Sequence, residues 1–85
     1  MNNLNLIHTS TLEFNGKSYT VKVFEGMETC KAQLFNDNNE PSGNAVYMYD
    51  NPLSMLPENE IIDTLIGWIK SINEDWLRRV KLRNN

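Results

Sequence analysis

The sequence predicts an α+β fold: an antiparallel three- to four-stranded β-meander followed by one C-terminal α-helix packed on one face of the sheet. Three observations carry that expectation. Asn15-Gly16 is flanked by runs that alternate apolar and polar residues, the pattern of a hairpin with one buried face. Two more short alternating runs follow, at 29–35 and 45–50. From Glu58 onward apolar residues recur at helical spacing with no proline.

The hairpin is the sharpest local signal. Asn-Gly suits a two-residue turn whose central positions both need positive φ. Placing the turn there pairs Phe14 with Lys17, Leu12 with Tyr19 and Ser10 with Val21. Leu12, Phe14, Tyr19, Val21 and Val23 then share one face, and Thr11, Glu13, Ser18, Thr20 and Lys22 share the other. Phe24 is out of place, on the polar side. After a reversal at Glu25–Glu28, Cys30, Ala32 and Leu34 alternate with Thr29, Lys31, Gln33 and Phe35, so Phe35 is a second exception. Residues 36–44, rich in Asn, Asp, Pro and Gly, are expected to form a mobile surface loop. A fourth strand is expected at Ala45–Asp50, with Val46 and Met48 opposed to Ala45, Tyr47 and Tyr49; its pattern does not say which face is buried.

Leu53, Met55 and Leu56 are expected to tuck under the sheet in a crossover. Pro57 suits the first turn of a helix, and Glu58, Glu60 and Asp63 complement the positive end of its dipole. The apolar stripe is Ile61, Ile62, Leu65, Ile66, Ile69, Ile72, Trp76, Leu77 and Val80, with Trp68 beside it and Trp76 expected to anchor the helix to the sheet. Gly67 costs about 1 kcal/mol relative to Ala in a helix interior, and close approach to the sheet would explain it. Ser71 and Glu74 have the spacing of a capping box, yet the unbroken period favours one continuous helix.

Composition bounds the function. A chain of 85 residues, 40% hydrophobic and 22% charged, is one folded domain over 1–85 rather than a disordered tract, with fraying expected at 1–8 and 83–85. Cys30 is the single cysteine, which excludes an internal disulfide and suits a reducing cytoplasm. No apolar run approaches the roughly 18 residues of a spanning helix, and the first residues lack signal-peptide character, so neither membrane insertion nor export is expected.

One histidine, His8, and one thiol leave few ways to build a nucleophile with its base or a zinc site. No phosphate-binding glycine loop or nucleophile elbow occurs. Asp37 with Glu40 lacks the spacing of a calcium loop. The expectation is a protein that is not an enzyme and carries no catalytic residue, metal or cofactor.

Two surfaces remain. Residues 70–85 hold five basic and two acidic residues, a balance of +3, against −6 over residues 1–69. Arg78, Arg79, Lys81 and Arg83 therefore form a possible anion contact, although cations at a helix C-terminus are also explained by its dipole. Phe24 and Phe35, extended by Tyr47 or Tyr49, place aromatic rings on the outer sheet face and mark a partner-binding surface. The expected role is a small cytoplasmic protein-binding module, an adaptor, inhibitor or regulator, with a homodimer through the sheet face as one form of it. The alternative is a nucleic-acid-binding module that uses the basic helix end.

Overall fold

A computed structural model describes residues 4–14 and 16–83, with the side chains of Phe14 and of 75–83 outside that description. Four strands form one antiparallel sheet in chain order: β1 (Asn5–Phe14), β2 (Lys17–Glu25), β3 (Cys30–Phe35) and β4 (Pro41–Met48). A short 3-10 turn, Pro52–Ser54, leads to helix α1 (Glu58–Arg83), which packs on one face. The fold is the α+β meander with one C-terminal helix that the pattern predicts.

The hairpin register agrees with the turn placement: Phe14 lies opposite Lys17, Leu12 opposite Tyr19 and Ser10 opposite Val21. Gly16 has φ of +79°, the left-handed conformation the turn requires; Asn15, expected to share it, lies outside the described residues. Strand pairing begins at Asn5, with a one-residue bulge between Leu6 and His8 that brings Ile7 against the core.

Faces follow from register. Val21, Val23, Cys30, Ala32 and Leu34 are buried on the inner face against Ile61, Leu65 and Ile69 of α1. Burial of each larger side chain contributes about 1.5–3 kcal/mol. Val46 and Met48 pack against the same core, which resolves the faces of the fourth strand.

The expected loop at 36–44 is mostly strand and turn. Pro41 opens β4 on the sheet's edge, where a missing N–H is tolerated, and Gly43 sits in a bulge with φ of +71°. The true connection, 36–40, is held by Asn36: its side-chain Oδ1 accepts the N–H groups of Asn38 (2.9 Å) and Glu40 (3.0 Å). Its own N–H donates to the Glu40 carbonyl, 2.9 Å.

Three further expectations are corrected. Leu53 and Pro52 turn inward after β4, but Met55 and Leu56 are exposed, because left-handed Asp50 and Asn51 swing the chain sharply at that point. Pro57 precedes the helix, its carbonyl accepting the N–H groups of Glu60 and Ile61. On the helix, the buried line is Ile61, Leu65, Ile69 and Asn73, each four residues on; Ile72 is 43% exposed. The helix continues through Ser71 without a break. Trp76, Leu77 and Val80 lie on its backbone, and their side chains fall outside the description.

Candidate functional site

The outer sheet face is built by one rung that crosses all four strands. Leu6 pairs with Phe24, Phe24 with Lys31, and Lys31 with Tyr47. Paired residues share a face, so these four side chains line up on the side away from α1. Tyr47 is 43% exposed, Leu6 52% and Tyr49 64%. The two tyrosine rings stack, with centroids 5.9 Å apart and planes 17° from parallel. The Lys31 ammonium lies 5.7 Å from the Tyr47 centroid, a cation–π distance.

Phe35 does not join this rung. It lies opposite Thr20, whereas Phe24 lies opposite Lys31; four residues along β3 separate Phe35 from that rung, about 13 Å of strand. Lys22 covers the Phe35 ring at 4.6 Å while its Nζ donates to Asn39 Oδ1 at 3.1 Å. Both phenylalanines are partly buried. The exposed aromatic surface is the tyrosine pair, with Leu6 and Phe24 continuing it. Lys22 and Lys31 both lie on this face, and Glu25 lies on the inner face opposite Cys30. The face is therefore less acidic than the linear sequence suggests.

The basic residues Arg78, Arg79, Lys81 and Arg83 belong to the last turns of α1, and their side chains lie outside the description. Glu58 and Glu60 occupy the first turn of the same helix, where negative charge meets the positive end of the dipole.

Cys30 is buried. Burial, and then the negative charges of Glu25 and Glu58, push its thiol pKa up, which suppresses the reactive thiolate. His8 lies opposite Val23 in β1. Among the described residues no group of three His, Cys, Asp or Glu side chains is placed to hold a metal ion.

One cluster was not anticipated from sequence. Opposite Gln33 alone, β4 places residues 43–45. Buried Asn73 reaches this bulge from the helix: its Oδ1 accepts the Asn44 N–H at 3.0 Å, and its Nδ2 donates to the Asn44 carbonyl at 3.1 Å and to the Ile69 carbonyl at 2.8 Å. Gln33 Nε2 donates to the carbonyls of Leu34 and Ser42, both at 3.2 Å. Only a polar residue on the buried helical line could have signalled this clamp, and Asn73 is that residue. Its chemistry is structural, since the carboxamide is occupied by backbone.

Comparison of the chain with protein families, curated proteins and solved structures finds no match. Among the described residues no helix is long and apolar enough to cross a membrane.

Proposed function

We propose that this chain is a protein-binding module whose recognition surface is the outer sheet face around Tyr47 and Tyr49. The observation that carries the reading is the rung Leu6–Phe24–Lys31–Tyr47, extended by the stacked Tyr49. Aromatic rings with an apolar neighbour match the composition of interface cores, where tyrosine combines a large contact area with a polar tip, and the one lysine of the rung rests over the Tyr47 ring. The helix lies on the opposite face and leaves this one open for a partner. Its role is that of an adaptor, inhibitor or regulator, acting by contact rather than by chemistry, and a reducing cytoplasm suits its lone buried thiol.

The test is affinity capture from the native host with wild-type protein and the Tyr47→Ser/Tyr49→Ser variant, followed by mass spectrometry. Both tyrosines are exposed, so the variant keeps its melting temperature. Proteins retained by wild type and lost by the variant identify the partner. Equal retention by both would place recognition elsewhere. Charge reversal at Arg78 and Arg79 separates the other reading: if it alone abolishes retention, and nucleic acid accompanies the wild type, the basic helix end is the contact.

A further inference from the structure

The two edges of the sheet differ. β4 opens on Pro41, is bulged at 43–45, and commits both backbone polar groups of Asn44 to Asn73. Proline, bulges and internally satisfied groups keep edge strands from pairing with other chains. β1 is ten residues long, without proline, lysine or arginine, and its single irregularity lies near its start. From His8 to Phe14 its pairing with β2 is unbroken. A two-residue turn makes Phe14 and Lys17 a hydrogen-bonded pair, so bonds to β2 fall at Phe14, Leu12, Ser10 and His8. Thr9, Thr11 and Glu13 therefore direct their N–H and C=O groups away from β2. Among the described residues no strand lies beyond them.

We propose that β1 pairs antiparallel with β1 of a second copy of this chain, about a two-fold axis at Thr11. In that register Thr11 faces its own copy and each Thr9 faces the other chain's Glu13, so all three outward-directed residues enter hydrogen-bonded pairs. An axis at Ser10 would instead set Glu13 against Ile7, inside the bulge. The self-complementary register about Thr11 makes a second copy the occupant, and charge does not oppose it at this edge. Each chain carries −3, which opposes association over most of the surface, but β1 from Asn5 to Leu12 holds no acidic or basic side chain apart from His8. The register keeps the two Glu13 carboxylates about 14 Å apart along the strands, and threonine opposite threonine is a favourable cross-strand pair. With β4 blocked, each chain offers one open edge, so pairing closes at a dimer rather than running on into a fibre. Seven paired residues per chain bury less than the roughly 1,200 Å² of a tight interface; the dimer is weak and concentration-dependent. It joins two four-stranded sheets into one of eight and does not depend on the aromatic face.

The experiment is sedimentation velocity over a roughly hundredfold range of concentration. Wild type should move from 9.9 kDa toward twice that mass. Thr11→Lys places two lysines opposite each other and should stay monomeric with an unchanged melting temperature. Thr11→Glu should behave alike, and mixing the two variants should restore the dimer as a heterodimer. Thr11→Pro removes an outward N–H and should also abolish pairing; if it unfolds, the lysine and glutamate variants still decide. A wild type monomeric throughout, or a Thr11→Lys variant that dimerises as wild type does, overturns the proposal. Tyr47→Ser/Tyr49→Ser should dimerise normally even as it loses captured partners, and loss of its dimer instead would move self-association to the aromatic face and overturn pairing through β1.

Discussion

The carboxamide of Asn73 serves three backbone groups at once, two on Asn44 and one on Ile69. Gly43 is the residue that makes room for it. A β-carbon there would land on the Asn73 amide oxygen, and φ of +71° is itself costly for any other residue, about 1–2 kcal/mol. Gly43→Ala and Asn73→Ala are each expected to destabilise the domain, the second by about 1–3 kcal/mol for the unsatisfied groups. Because alanine at 73 removes the clash, the double variant should lose less than the sum of the two. Urea titration of the four proteins checks this, and strict additivity would mean the two sites do not act together. Cys30 is the second residue with a clear expectation. Its thiol pKa is higher folded than unfolded, so the stability it contributes is fully present below the unfolded pKa and is lost as pH rises through the folded one. As pH rises past the ordinary thiol pKa of about 8.5, wild type should therefore lose more stability than Cys30→Ala, read from denaturant midpoints at each pH.

Helix α1 contains a correctable weakness. Gly67 is exposed and nothing lies within 4 Å of a β-carbon built on it, so close approach to the sheet is not the reason for it. Gly67→Ala should raise stability by about 1 kcal/mol, a shift of roughly 4–8 °C in the melting temperature of a domain this size. The same helix shows where the pattern of residues misleads. Ile72 and Asn73 are neighbours, and apolar periodicity selects the isoleucine. The structure buries the asparagine, because the β4 bulge presents a backbone N–H and carbonyl there. In the sheet, the Asn15-Gly16 pair and the alternation on both arms were enough to place Phe14, Leu12 and Ser10 opposite their partners, since a slip of one residue would have turned Leu12 and Val21 outward, whereas the bulge between Leu6 and His8 left no mark in the pattern. Pro41 and Gly43 read as loop because punctuating residues are tolerated within a strand only at an edge or a bulge, and the edge is visible only once strand order is known. The candidate site was half legible. The outer-face placement of Phe24 follows from alternation, whereas the face of Tyr47 is set by its pairing with Lys31, the separation of Phe35 by register across the Gly26–Thr29 reversal, and the alignment of Leu6 by the bulge in β1.

Across the whole molecule, charge is divided between an acidic body and a basic helix end, −6 against +3. Such a division favours local, salt-screened attraction to an acidic partner over wrapping of a polyanion. On a heparin column the protein is expected in the flow-through at moderate salt, and firm retention would favour the nucleic-acid reading. The clamp at Asn73 also has a kinetic consequence. It joins residues 29 positions apart in the chain, while the three reversals that build the sheet are short. The β1–β2 and β2–β3 pairings can therefore form early, from contacts close in sequence. The irregular edge of β4 has to wait for the helix to arrive. Asn73→Ala should then leave the refolding rate nearly unchanged and place most of its effect on the unfolding rate. In stopped-flow chevrons the unfolding arm would rise while the folding arm stays put, making the clamp a latch that sets how long the native state lasts rather than how quickly it is reached.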